Sequence, residues 1–282
     1  MVREVLDSVS APLNSQAYVI DATLGSGGHS LALRQNGYRI LGIEADPAIL
    51  EIAKGRLGSD AKLIYGNFRD IDEIARREGV SPVQAVLFDL GVSNLQLTKD
   101  SRGFSFGSPD APLDMRLDKS QQGLTAADLL NALREDQLGV LFGRVLKDFE
   151  AKKLAQAVVN FREKKKIATA SDLIEISKVV RPKGRLNQAT LPFLAVRIAV
   201  NSELENLSDA LPKAFGLLVS GGKLLIITFH SLEEKIVKEF FSRMEREGLG
   251  RTITKDPIVP ADSEVIRNPR SRSAKLRVIE II

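Results

Sequence analysis

The chain has 282 residues, 27% of them charged, with a net charge of +4 and no cysteine. Disulfides, thiolate zinc sites and cysteine nucleophiles are therefore excluded, and with only His29 and His230 available no metal is expected. No apolar run approaches the roughly 18 residues of a membrane span, and the opening MVREVLDSVS does not read as a secretory signal.

Strand and helix patterns alternate from the start. AYVIDA (17–22) is a short apolar strand ending near Asp21, followed by a glycine-rich turn and a helix from His29 to Asn36. YRILGIE (38–44) is a second strand. Asp46 and Pro47 then open a helix, as N-cap and first-turn proline. KLIYG (62–66), a helix from Asp72 to Glu78 and VQAVLFD (83–89) continue the pattern. Strands separated by helices imply right-handed crossovers and a parallel sheet.

From Gly91 to Arg116 the period is lost, and a loop of that length is usually functional or mobile. From Thr125 to Phe215 the spacing is helical only. KLLIITF (223–229), a helix from Leu232 to Met244 and a closing strand KLRVIEII (275–282) then resume the α/β pattern. The expected architecture is one α/β domain, 1–114 and 206–282, interrupted by an all-helical insert, 115–205. Between Leu117 and Ser202 there are 15 Lys and Arg against 9 Asp and Glu, an excess of +6, so the remainder carries −2. A basic insert on a slightly acidic frame suggests a polyanion-facing part; the alternative is that Arg162–Lys166 is a solvated helix end.

Asp21 to His29, DATLGSGGH, lies where the first strand meets the first helix, the ligand crevice of a doubly wound sheet. A dinucleotide needs a helix N-terminus facing its pyrophosphate. S-adenosylmethionine has no phosphate; it offers an ammonium, a carboxylate, a sulfonium and a ribose. Asp21 suits the ammonium, and Gly25, Gly27 and Gly28 allow close backbone approach. Glu44, 19 residues after Gly25 and ending the second strand, suits the ribose hydroxyls. Asp46 competes for that role but is better placed as a cap. Phe68 follows the third strand, to pack on adenine or simply to fill the core. Asp89 ends the fourth, to accept a hydrogen bond from a substrate amine or to cap a turn.

These stretches together resemble the RsmH (MraW) family, methyltransferases of cytosine N4 in small-subunit (16S) ribosomal RNA. The resemblance rests on DATLGSGGHS (21–30), GIEADP (42–47), GNF (66–68), FDLGVSNLQL (88–97), RGFSF (102–106), APLDMRLD (111–118), TAADLLN (125–131), LAVRIAVNSEL (194–204), GGKLLIITFHSLEEKIVK (221–238) and NPRSRSAKLRV (268–278). It implies a class I, Rossmann-like methyltransferase fold: a doubly wound, mostly parallel sheet with a closing antiparallel strand and a helical insert. It also implies cofactor contacts at Gly27, Gly28, His29, Glu44, Phe68, Asp89 and Gln96, of which His29 and Gln96 come from the resemblance alone. Small-subunit RNA or the small subunit is the implied partner, in the cytoplasm, with the oligomeric state open and a dimer among the options. Three stretches depart from the family pattern: no His-x-Pro-Val segment precedes the first helix, Ser-Ser-Pro-Gln reads Ser93-Asn94-Leu95-Gln96, and His-Pro-Ala-Thr reads Asn187-Gln188-Ala189-Thr190.

For amine methylation Asp89 is the first candidate acceptor, with Ser93 or Asn94 holding the base. Phe104 and Phe106 either stack on an extruded base or anchor their loop to the core. Asp114 and Arg116 are weaker candidates from the same loop. His230 follows the fifth strand, before an S-x-x-E capping box of Ser231 and Glu234; it either contacts RNA, moves a proton or serves structure. Arg267, Arg270, Arg272, Lys275 and Arg277, with no acid among them, form either a phosphate strip or the wet face of an edge strand. A small-molecule methyltransferase, a nicotinamide-dependent oxidoreductase and a non-catalytic RNA-binding assembly factor are the rival readings.

Overall fold

The computed structural model describes residues 1–9, 17–93, 96–97, 102–181 and 187–282. They fall into two compact units, Met1–Gly91 with Leu204–Ile282, and Val92–Glu203.

The first unit opens with α1 (Val2–Ser8). It continues with β1 (Tyr18–Asp21), α2 (Gly28–Gln35), β2 (Arg39–Glu44), α3 (Pro47–Leu57), β3 (Lys62–Tyr65), α4 (Ile71–Arg77) and β4 (Val83–Asp89). The described residues form a seven-stranded sheet of order β3-β2-β1-β4-β5-β7-β6, in which β5 is Leu218–Thr228, β6 Gly250–Thr252 and β7 Lys275–Ile281. Strands β1 to β5 pair in parallel, and β7 runs antiparallel between β5 and β6. The doubly wound, mostly parallel sheet with a closing antiparallel strand is thus present. The added edge strand β6 escaped the sequence, because three residues carry no readable period.

Both faces of the sheet are covered, so its strands read as continuous apolar runs rather than alternating ones. Ile20, Val86, Phe88 and Ile226 enter one core, and Val19, Leu87, Leu225 and Ile227 enter the other. The order reverses between β1 and β4, and ligands of such sheets bind outside the carboxyl ends of the strands at that point. Asp21, Glu44 and Asp89 each end a strand on that edge.

The second unit holds α5 (Ala126–Ala132), α6 (Glu135–Gly143), α7 (Asp148–Arg162), α8 (Ala170–Ser177) and α9 (Thr190–Asn201) around its own core. Reciprocal capping boxes start α5, between Thr125 and Asp128, and α8, between Thr169 and Asp172. The unit begins at Val92 rather than at 115. The described part of the aperiodic stretch is stitched into the helices, with Leu113 N–H donating to Ala168 O and Ser171 N–H to Pro109 O. Phe104, Leu113 and Met115 enter the helical core. Those bonds join residues far apart in sequence, which is why no local pattern announced them.

Returning to the first unit, α10 (Glu203–Gly216) leads to β5, α11 (Ser231–Arg246) follows it, and α12 (Asp262–Arg267) precedes β7.

Candidate active site

Asp21 ends β1 with its side chain 1% exposed. Ser30 Oγ, from the first turn of α2, donates to its Oδ2 at 2.6 Å, while Oδ1 is buried without a partner. Burial pushes this carboxyl above its usual range, against the nearby His29 and the Ser30 hydroxyl. A buried carboxylate oxygen with no donor is costly and marks a place for a ligand group that donates or is cationic.

The loop after Asp21 is fixed by its backbone: Ala22 N–H donates to Leu87 O, and Leu24 N–H to Ile43 O. Gly25 N–H donates to Glu44 Oε2 at 2.8 Å, and Asp46 N–H donates to Glu44 Oε1 at 2.8 Å. The Glu44 carboxylate is thereby locked at the end of β2, each oxygen keeping one lone pair free. Burial still pushes it up to about 7. Gly27 caps α2 at φ +79°, and a Cβ there would lie 2.9 Å from Leu57 Cδ1, so only glycine fits. Gly28 then opens the helix, where a Cβ would lie 4.0 Å from the Arg56 guanidinium. Asp46 is the N-cap of α3, accepting from Ala48 N–H at 3.0 Å.

Asp89 ends β4, its N–H donating to Thr23 Oγ1 at 2.5 Å. His29 Nδ1 lies 3.7 Å from Asp89 Oδ2. Burial pushes the Asp89 carboxyl up to about 7, opposed by the Met1 ammonium and reinforced by Glu233 and Glu264. Yet 35% of the side chain faces solvent, so the carboxyl is reachable. Burial lowers His29, keeping the imidazole neutral. Phe68 begins a short 3-10 turn after β3, its ring edge-on to Phe88 at 5.5 Å and packed on the sheet core.

Asp21, Gly25, Gly27, Gly28, His29, Glu44 and Asp89 are therefore brought together in the first unit. Ser93 and Gln96 belong to the second, where Ser93 N–H donates to Gln96 Oε1 at 2.7 Å. Asn94 and Leu95 lie outside the described residues. Thr23 and Ser30, which hold Asp89 and Asp21, were missed; short hydroxyl residues two and nine positions after Asp21 were the available signal.

Several sequence expectations need correction. His230 itself, not Ser231, caps α11: Glu233 N–H donates to His230 Nδ1, and Glu233 Oε2 accepts from Phe229 and His230 N–H. His230 Nε2 sits 3.2 Å from Glu233 Oε1 without hydrogen-bond alignment. Glu234 instead receives Arg277 Nη2 at 2.7 Å and Thr228 Oγ1 at 3.0 Å. Arg277 is 8% exposed and cannot face phosphate, because β7 is interior and α11 covers that side. Asp114 and Arg116 are paired to each other through two side-chain hydrogen bonds, of 2.7 and 3.1 Å, and one from the Arg116 N–H at 3.2 Å. Phe104 is core. Phe106 stays 41% exposed, edge-on to Phe193 at 5.9 Å.

In the helical unit part of the basic surplus is structural. Arg162 donates to the carbonyls of Leu130 and Leu133, closing α5, and Lys165 pairs with Asp172. Lys152, Lys153, Lys164 and Lys166 remain on the surface. No helix among the described residues is long and apolar enough to cross a membrane.

Against known proteins, the MraW methylase family model matches residues 1–282. A Coprothermobacter proteolyticus protein named ribosomal RNA small subunit methyltransferase H is 41% identical over 273 residues, covering 95% of this chain and 90% of that protein. A protein of the same name from Sulfurihydrogenibium azorense is 42% identical over 272 residues, covering 93% and 92%. Among solved structures, a Streptococcus mutans protein provisionally named a methyltransferase, in complex with SAH, superposes with a TM-score of 0.50 at 13% identity, covering 100% of this chain and 97% of that one; that likeness concerns the fold. By full-length family match and by identity with these relatives, the chain belongs to the MraW methylase family.

Proposed function

We propose that the protein transfers the methyl group of S-adenosylmethionine to the N4 amine of a cytosine in small-subunit (16S) ribosomal RNA, in the cytoplasm. The observation that carries this is the convergence of Asp21, Glu44 and Asp89 on the carboxyl edge of the sheet at its switch point, in a chain of this family.

The residues fit the donor. The orphaned Asp21 Oδ1 suits its ammonium, the Glu44 carboxylate its ribose hydroxyls, and the glycine backbone at Gly27 and Gly28 its close approach. His29, Phe68 and Gln96 enter as further donor contacts on the family pattern. The bound donor supplies an electrophilic methyl on a sulfonium, so the protein's task is mainly alignment.

The acceptor amine is a weak nucleophile, its lone pair delocalised into the ring. Asp89, ionised, would accept a hydrogen bond from that amine, favour the pyramidal geometry needed for attack and take the proton as the N–C bond forms and the methyl–sulfur bond breaks to leave a neutral thioether. A carboxyl near 7 is suited to this, since it ionises at working pH and still holds a proton well. Neutral His29, 3.7 Å away, offers the proton a next station. Ser93 is assigned to base positioning and His230 to the support of this edge through its cap on α11. RNA recognition is assigned to the helical unit, whose exposed lysines supply the charge.

The test is transfer of labelled methyl to small subunits lacking the modification, followed by nucleoside analysis. N4-methylcytosine is the expected product. Methylation of a ring carbon instead, or of a small molecule with no subunit labelled, overturns the reading.

A further inference from the structure

Arginines 267, 270 and 272 and Lys275 form a surface that the donor site does not use. From Val265 to Ile279 there is no acidic residue. The structure removes Arg277 from this set by burying it against Glu234, and leaves Arg267, Arg270, Arg272 and Lys275 exposed on the end of α12, the 3-10 turn Pro269–Ser273 and the start of β7. Their place is fixed by the anchored residues between them: Ser271 is buried with its hydroxyl donating to Asn268 O, Ala274 is buried, and Leu276 enters the sheet core.

The register then gives the location. Lys275 pairs with Thr228, Leu276 with Ile227, and Ile227 with Asp89. With neighbouring strands about 4.8 Å apart, β7 enters the sheet roughly 10 Å from Asp89, on the same carboxyl edge. Glu264 of α12 is near enough to act electrostatically on both Asp89 and His29. Beside the arginines, Ile266 stands 80% exposed, an apolar side chain held in solvent next to cations. Cations beside an exposed apolar residue, leading into the strand that starts on the same sheet edge as Asp89, match a nucleic-acid backbone with an unstacked base.

We propose that the segment from Ile266 to Lys275 is the contact for the sugar–phosphate backbone flanking the target cytosine, with Arg267, Arg270, Arg272 and Lys275 on phosphates and Ile266 against a base or sugar. This rests on the RNA-methyltransferase reading above. It assigns the phosphate-binding edge to the catalytic unit itself, in addition to the helical unit.

The experiment compares wild type with an Arg267→Glu/Arg272→Glu double variant and an Arg267→Lys/Arg272→Lys control, using unmodified small subunits. Donor affinity is measured by calorimetry, and subunit KM and kcat at several salt concentrations. The expected result is unchanged donor affinity in both variants. In the Glu variant, subunit KM rises by about tenfold or more and the slope of log affinity against log salt is shallower by roughly 1.5, as for two lost phosphate contacts. The Lys variant stays near wild type, because charge rather than fork geometry is what a phosphate backbone chiefly needs. Wild-type KM and salt slope in the Glu variant overturn the proposal, as does loss of donor binding and thermal stability in both variants, which makes the segment structural. If wild type labels no subunit RNA at all, it is the function reading that has failed.

Discussion

Two sets of carboxylates behave in opposite ways. In the first unit Asp21, Glu44 and Asp89 are held above their ordinary range because burial outweighs the partners they have. In the helical unit Asp172 is 3% exposed and burial opposes its ionisation too. There the Lys165 ammonium and the N–H groups of Ala168 and Thr169 outweigh it and hold the carboxyl at about 2. Asp114, despite burial, is likewise lowered by Arg116. The same functional group is thus finished at Asp172 and Asp114 and unfinished at the three strand ends. Unfinished carboxylates on one sheet edge are the signature of a site; finished ones are helix caps and ion pairs.

The largest expected difference between the sets is at Asp89. Asp89→Asn keeps the shape and removes the acceptor, so single-turnover methylation should fall by about 10²–10⁴-fold. Donor affinity, measured by calorimetry, should fall far less. For wild type, kcat/KM should climb with pH and level off above about 7, because the raised Asp89 carboxyl is protonated below that value and ionised above it. In the Asn variant that limb should vanish. Near-normal turnover in Asp89→Asn would remove the residue from the chemistry.

At Glu44 the comparison turns to binding. Glu44→Gln keeps one oxygen for Gly25 or Asp46 N–H and loses the charge that a ribose hydroxyl pair would meet. Donor affinity should fall by about 10–100-fold, as for hydrogen bonds to a charged group. Thermal stability without donor should hold or rise, since a raised carboxyl already disfavours the folded state at neutral pH.

Asp172 should show the reverse pattern. Asp172→Asn should cost about 2 kcal/mol of stability at pH 7, with the folded protein still active. With its folded value near 2 and its unfolded value near 3.8, this group's contribution is fully present above pH 4 and is lost as pH falls through 2. Acid unfolding followed by circular dichroism checks the sign: the variant should lose its part of the transition below pH 4 and be offset from wild type by a constant amount above it.

This contrast also explains what was legible in the sequence. Asp46 was readable as a cap because Pro47 follows it at the first helical position and its donor, Ala48 N–H, is two residues away. Strands β1 to β4 were readable because apolar runs and the helices between them are local. Asp21, Glu44 and Asp89 were readable as strand-end acids, but that they remain unfinished depends on contacts such as Thr23 to Asp89, 66 positions apart. Arg277 was misread because alternation in KLRV says which face it takes, not that Glu234 of α11 covers that face. The start of the helical unit was misplaced for a similar reason: Leu113 joins it by bonding Ala168. Local periodicity carries elements; pairing across the chain decides which polar groups are left over.

The finest distinction between the two sets is at Ser30, whose hydroxyl is the one side-chain donor bonded to Asp21 among the described residues. Ser30→Ala leaves both Asp21 oxygens without a side-chain donor and raises the carboxyl further. The ionised form that an ammonium would meet is then less favoured, and a neutral acid is a poorer partner for it. Donor affinity should fall by about threefold to tenfold, the size of one hydrogen bond of about 1 kcal/mol. The deficit should shrink as pH rises, because higher pH favours the ionised carboxylate that the Ser30 hydroxyl otherwise supports. A deficit independent of pH would mean that Ser30 acts by packing at the start of α2. Asp21 would then belong with the finished carboxylates, and the ammonium would have to be met elsewhere on this edge.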